Sequence, residues 1–197
     1  MSLKKSFMDN EIYGADDINF ALSRLTTQGV SLFKYNDGDN PLVSLNNALA
    51  EMVALFRVDL RSYKGIVSKP NIDAGREEME EYLSAKFPVF AALIDGEYAG
   101  YVVCRIDSEV VWVESIFVKK EYRRHGVATA LHSKAEEIAA SYGDDTVYNY
   151  VHPNNHRMIE FLRKRGYTVL NLIEIRKPYQ GEKLTQTITV GEHEFDY

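Results

Sequence analysis

Two periodicities alternate along this chain. Val30 to Tyr35 alternates between apolar and polar as a strand does, and it closes on the turn-forming run Asn36-Asp37-Gly38-Asp39-Asn40-Pro41. From Ser44, a helix-capping residue, apolar side chains recur three and four apart at Leu45, Leu49, Met52, Val53, Phe56, Leu60 and Tyr63. That spacing predicts a long helix ending at Gly65. After the break Lys69-Pro70-Asn71, Asp73 opens a second helix, Ala74 to Lys86, with Met79, Leu83 and Tyr82 inward. Pro88 to Ile94 and Tyr98 to Ile106 flank the hairpin signal Asp95-Gly96-Glu97. With Val110 to Val118 they predict an antiparallel meander. Earlier, Ile18, Leu22 and Leu25 form a narrow stripe behind Asp16, predicting a short helix that ends near Gln28-Gly29.

The densest apolar run is Val110 to Val118, broken only by Glu114 and Ser115, as expected of a central strand covered on both faces. It runs through Lys119, Lys120, Glu121 and Tyr122 into Arg123-Arg124-His125-Gly126-Val127-Ala128, which opens a helix. Val127, Ala130, Leu131, Ala135, Ile138 and Tyr142 mark its inner side, with Thr129, Ser133, Glu136 and Glu137 opposite. A helix N-terminus delivered by a strand binds anions readily, because its first N–H groups lack intrahelical acceptors and the dipole is positive there. Gly126 lets a ligand approach the backbone, and Ala128 leaves the first turn uncrowded. An ordinary βα turn with solvated basic residues would carry many of the same residues; the R-x-x-G-x-A spacing favours a phosphate or pyrophosphate cradle.

Downstream, Gly143-Asp144-Asp145 turns the chain into a strand, Thr146 to Val151, expected to lie parallel to the central one because a helix joins them. His152-Pro153-Asn154 leads into a helix from Asn155 to Arg165, with Met158, Ile159, Phe161 and Leu162 inward and Gly166 at its end. Val169 to Ile175 alternates and predicts the next strand. Lys183 to Val190 and Glu194 to Tyr197, on either side of Gly191-Glu192-His193, predict a last strand with an aromatic end. The class that follows is α/β, a mixed sheet flanked by helices.

Composition narrows the partners. The 197 residues, 45% of them apolar, suffice for one sizeable core and not for two full domains. A formal net charge of −6 argues against nucleic acid and mildly favours a cationic substrate. Cys104 is the only cysteine, so no intramolecular disulfide can form and a reducing compartment is expected. No apolar run approaches a membrane span and no signal-peptide core opens the chain, so the expectation is a cytoplasmic protein without a membrane partner.

Glu114 to Val118 followed by Tyr122-Arg123-Arg124-His125-Gly126-Val127-Ala128-Thr129-Ala130-Leu131 resembles the acetyl-CoA-binding motif of the GCN5-related N-acetyltransferases (GNAT family), Q/R-x-x-G-x-G/A. Asn155 to Tyr167 resembles that family's N-x-x-A-I-x-L-Y-x-K-x-G-F segment. The resemblance covers roughly Ser31 to Ile175 and is strongest from Val110 to Tyr167. It implies a mostly antiparallel sheet whose parallel central strands splay apart beyond Val118. It implies diphosphate held by backbone amides from Arg124 to Ala128, with Arg123 and Thr129 in the same turn. It also implies pantetheine along Ile116, Phe117 and Val118, and Asn155 fixing the cofactor arm. Domain expectations follow: residues 1–29 an extension with a short helix, 30–176 the acetyltransferase domain, and 177–197 a strand and tail on the same domain or on the partner subunit of a homodimer. The implied cosubstrate is acetyl-CoA, with no metal.

Acyl transfer to an amine requires a proton acceptor and then a donor to the leaving thiolate. Glu114 is the candidate base, since a carboxylate inside an apolar strand would be desolvated; the alternative is a structural carboxylate paired with an arginine. Many family members place a tyrosine seven residues after the motif asparagine, where this chain has Leu162. Tyr148, Tyr150, His152 and His156 are substitutes, Tyr150 being chosen with Glu114 as catalytic. Arg57, Asp59, Arg61 and Tyr63 are acceptor-side candidates, or the wet face of their helix. Glu77, Glu78, Glu80 and Glu81 could attract an amine, or form a solvated face. The expected activity is N-acetyl transfer to a small or peptide amine. The alternatives are a CoA-binding module that has lost turnover and an unrelated nucleotide-binding protein.

Overall fold

The computed structural model describes residues 30–35 and 43–197. The helix expected between Asp16 and Gln28 and the turn Asn36 to Pro41 lie outside them. The described residues fall into two compact units, one ending at Asp59 and resuming from Lys69 to Tyr150, the other Leu60–Ser68 with Val151–Tyr197.

The first unit is built on a five-stranded sheet in the order β1 (Val30–Tyr35), β2 (Val89–Ile94), β3 (Glu97–Asp107), β4 (Val110–Val118), β5 (Tyr148–Asn149). The first four pair antiparallel, as the meander predicts, and β5 lies parallel to β4. One face carries the long helix α1 (Val43–Tyr63) and α2 (Ile72–Ser84). Leu49, Met52 and Val53 of α1 and Met79 and Tyr82 of α2 bury against Val89, Ala91, Tyr101, Val103 and Phe117. The start of α2 is set by Asn71, whose Oδ1 accepts the N–H of Ala74 at 3.1 Å. The opposite face of the sheet carries α3 (Val127–Ser141): Gly100 leaves room there for Leu131, whose Cδ1 would lie 3.2 Å from any Cβ added to the glycine.

Helix α3 buries Val127, Leu131 and Ala135 as expected and leaves Ala130 and Ile138 half-buried, but it also buries Ala139 and, completely, His132, whereas Tyr142 at its C-cap is exposed. The imidazole sits 3.4 Å from Glu136 through Nδ1 and 3.2 Å from Asn149 Oδ1 through Nε2, so its polar atoms are engaged by α3 itself and by β5.

Two features shape the centre of the sheet. β5 is two residues long where Thr146 to Val151 was expected, pairing only Trp112 with Tyr148 and Val113 with Asn149. Between β3 and β4 the register steps from Val103 opposite Ser115 to Cys104 opposite Val113, leaving Glu114 as an extra residue. Such a bulge bends its strand and re-aims the side chain it carries. Past it, residues 114–118 of β4 have no strand on the β5 side among the described residues, so the parallel pairing ends at Val113, five residues before the Val118 beyond which the resemblance implies the strands part.

The second unit holds α4 (His156–Lys164) and the hairpin β6 (Thr187–Val190) with β7 (His193–Asp196). The strand expected from Val169 to Ile175 is absent. The segment has no regular structure, and Val169 is 86% exposed with Leu170, Leu172, Ile173 and Ile175 also open. An alternating pattern makes a strand only when a neighbouring strand takes its N–H and C=O groups, and no described residue does so here. Among the described residues, no helix is long and apolar enough to cross a membrane.

Candidate functional site

The turn between β4 and α3 has the backbone of an anion cradle. Lys120–Tyr122 form a single 3₁₀ turn, and Arg124 and Gly126 then take positive φ of 72° and 80°. Gly126 is the N-cap of α3 and brings no side chain to it. The first intrahelical bond runs from the N–H of Ala130 to the carbonyl of Gly126, so the amides of Val127, Ala128 and Thr129 have no acceptor within the helix. A capping serine or aspartate would spend one of those donors; Gly126 spends none. Arg124, His125 and Thr129 are exposed beside them.

Arg123 does something else. Its Nε donates to the carbonyl of Val118 at 2.9 Å, its Nη2 reaches Asp59 of α1 at 3.1 Å, and its guanidinium lies 5.7 Å from the Phe117 ring centroid. The side chain therefore fastens the cradle to the end of β4 and to α1. Ile116 is half-buried, and Phe117 and Val118 are buried. In an antiparallel ladder successive residues point their N–H and C=O alternately toward and away from the partner, so beyond the bulge part of the β4 backbone faces the gap left by β5.

A family model described as acetyltransferase (GNAT) family matches residues 49–167, more than half of the chain. The chain belongs to the GNAT acetyltransferase family. An uncharacterized N-acetyltransferase of Methanocaldococcus jannaschii is 32% identical over 85 residues, covering 40% of this chain and 38% of the relative. An N-alpha-acetyltransferase of Sulfurisphaera tokodaii is 29% identical over 114 residues, covering 49% of this chain and 64% of the relative. These alignments span less than two thirds of either curated relative. Among solved structures, the aminoglycoside N-acetyltransferase AAC(6')-Iy, in complex with the bisubstrate analog CoA-S-monomethyl-acetylneamine, superposes with a TM-score of 0.54 at 22% identity. It covers 76% of this chain and 99% of its own, a likeness of fold.

In this GNAT sheet, Glu114 stands at the bulge and is 31% exposed on its side chain, with Oε2 accepting from Arg105 Nε at 3.0 Å. Of the two readings the sequence left open, this contact belongs to the carboxylate paired with an arginine. Arg105 in turn lies 5.1 Å from the Trp112 centroid. Trp112 packs against Tyr148 and Tyr150, both at 4.8 Å between centroids, and Tyr150 is 64% exposed. The structure thus brings Glu114 and Tyr150 into one connected cluster.

Asn155 and Leu162 lie in the second unit. Asn155 caps α4, its Oδ1 accepting the N–H of Met158 at 3.2 Å, and Leu162 is 7% exposed. His152 is held there by the N–H of Asn154, which donates to its Nδ1.

Sequence reasoning missed a polar network between α1 and α2. Arg57 makes a two-pronged pair with Glu78, both contacts 2.6 Å, and the Tyr82 hydroxyl donates to the same carboxylate at 2.5 Å. Burial, then the bond to Glu78, raises the Tyr82 hydroxyl well above its ordinary range. Deeper, the fully buried Tyr101 shares a 2.7 Å hydrogen bond with Ser115, and burial raises its hydroxyl too. The available signal was Ser115, a hydroxyl in an apolar strand beside Glu114. Cys104 is fully buried, its thiol pushed up to about 12 by desolvation.

Proposed function

We propose that this protein is an acetyl-CoA-dependent N-acetyltransferase that moves the acetyl group directly to a primary amine of a small molecule or peptide. The observation that carries this is the β4–α3 turn: Gly126 at positive φ, no capping side chain, and three amides left to a ligand. Those amides suit a diphosphate, and Arg124 and Thr129 stand beside them to add charge and a hydroxyl. The GNAT relatives support the same ligand, one of them solved with a CoA analog.

Acetyl-CoA supplies a thioester, whose carbonyl carbon an amine attacks with loss of the thiol. Backbone N–H groups of β4 beyond the bulge, toward Val118, are the donors that would polarise that carbonyl. Glu114 receives the amine proton, directly or through water: Arg105 holds Oε2 and keeps the carboxylate oriented. Tyr150 remains the candidate donor to the leaving thiolate, with water as its competitor. Transfer is direct rather than through an acyl-cysteine, because the one thiol in the chain, Cys104, is buried and too weakly acidic to supply a thiolate. The acceptor is a cation in solution, which the net charge of −6 attracts. Cytoplasmic location and a homodimer belong to the same proposal.

Two observations favour a second account, a CoA-binding module without turnover: a buried Leu162 occupies the position of the usual tyrosine, and Glu114 is already paired. Thiol release from acetyl-CoA across an amine panel separates the two. Calorimetry with acetyl-CoA tests the cradle. Gly126→Glu should abolish binding, placing a carboxylate among the free amides and a Cβ at positive φ, and unchanged affinity would refute the assignment. Glu114→Gln should lower kcat about 100-fold or more with little effect on acetyl-CoA affinity, the ordinary weight of a general base.

A further inference from the structure

We infer that the open cavity at the Val118 end of β4 binds a small zwitterion, a free amino acid or short peptide with an apolar side chain, which goes beyond acyl transfer. The cavity has a volume of about 510 Å³, within the range of small-molecule sites. Four elements wall it, and each brings one charge: Glu51 from α1, Arg76 from α2, Glu97 from the start of β3, and Lys119, the residue after β4. Ile72, 47% exposed, and the half-buried Tyr98 add apolar surface. None of the lining residues belongs to the cradle, to the Glu114 cluster or to the second unit. Glu114 stands five residues before Lys119, about 16 Å of extended strand, so a small ligand here is not the reacting amine.

Charged groups in this unit pair where they can reach, as Arg57 with Glu78 and Arg123 with Asp59 show. Around the cavity they do not. Among the described residues, Arg76 and Lys119 make no side-chain hydrogen bond or ion pair, though both are half-buried. A cation drawn partly out of water without an acceptor carries a cost that a ligand carboxylate would offset. Arg76 can take a carboxylate through two parallel bonds, and Lys119 adds a second positive charge to the wall. The same wall carries two carboxylates, so a bare anion or a bare cation meets repulsion as well as attraction. A molecule holding both an ammonium and a carboxylate finds an opposite charge for each. Its side chain covers Ile72 and the Tyr98 ring, removing apolar surface from water.

The full-length protein, without acetyl-CoA, is titrated calorimetrically with L-leucine, glycyl-L-leucine, isoamylamine and isocaproate. The last two lack leucine's carboxylate and its ammonium respectively. At least one zwitterion should bind about tenfold more tightly than either singly charged analogue, the scale of one charged contact. The tighter of leucine and the dipeptide identifies amino acid or peptide. Arg76→Gln and Glu97→Gln should each weaken that ligand about tenfold, and Glu114→Gln should leave it unchanged. Since no acetyl-CoA is present, the result is independent of whether the protein turns over. No binding of either zwitterion, equal binding of zwitterions and singly charged analogues, or an affinity that survives either cavity variant overturns the proposal. Loss of binding in Glu114→Gln does so too, because it would move the ligand to the acyl-transfer site.

Discussion

At the scale of single residues, the pair Tyr101 and Ser115 decides more than its size suggests. Both are buried at the centre of the sheet, and their 2.7 Å bond satisfies two hydroxyls that water cannot reach. Removing one partner strands the other, which costs about 1–3 kcal/mol, whereas removing both exchanges a polar pair for an apolar one at little net cost. Tyr101→Phe should therefore destabilise the protein by about that amount in urea unfolding, and adding Ser115→Ala should recover part of it. Simple additivity of the two losses would show that the bond contributes nothing. Arg123 makes a related point about function. The resemblance places it in the expected cradle, and in the structure its guanidinium is committed to the Val118 carbonyl and to Asp59.

Among the elements, α1 and α2 are joined by the Arg57–Glu78 pair and also approach backbone to backbone at one glycine. Gly75 of α2 is buried, and a Cβ there would clash with the carbonyl oxygen of Ala50 and lie 3.0 Å from the nitrogen of Ala54. Intrinsic propensity favours alanine over glycine in a helix by about 1 kcal/mol. Here the sign should invert: Gly75→Ala must push α2 off α1, and overpacking of that kind costs about 1–3 kcal/mol. A lower melting temperature, with α2 packing disturbed around Met79 and Tyr82, is the expected result; a gain in stability would show that the helices have room to separate. The sequence announced these elements well, because β1 to β4 and the four helices each carry a local period that survives folding. It did not announce the bulge at Glu114, since nothing local distinguishes an extra residue in a ladder from a paired one. It also misjudged Val169 to Ile175, whose alternation predicts a strand without saying where a partner is. Nor did the period of α3 mark His132 as inward; it is fully buried, and Asn149, seventeen residues away, supplies an acceptor.

For the molecule as a whole, the division into two units gives acidification a definite place to act. His152 belongs to the second unit, where it stacks on Tyr63 at 6.1 Å, lies 6.4 Å from Tyr197, and accepts the Asn154 N–H through Nδ1. It thus joins the last turn of α1, the approach to α4 and the end of the chain. Burial lowers its pKa below the ordinary histidine value, and the nearby Lys64 adds to that. With the folded pKa below the unfolded one, the unfolded state takes up the proton more readily. The contribution to stability is therefore present above about pH 6.5 and is lost as the pH falls through the folded pKa. Protonation also removes the lone pair that holds Asn154, so the loss is structural as well as electrostatic. Amides around Asn154 and in the β6–β7 hairpin should exchange faster at about pH 5 than at about pH 7.5 once the intrinsic rate is corrected for, while those of β2 to β4 keep their protection. Proton NMR of the His152 ring, assigned with His152→Gln, gives the pKa itself. A value at or above the usual one would mean that the second unit does not bury this imidazole, and the pH-dependent loosening would then have to be abandoned.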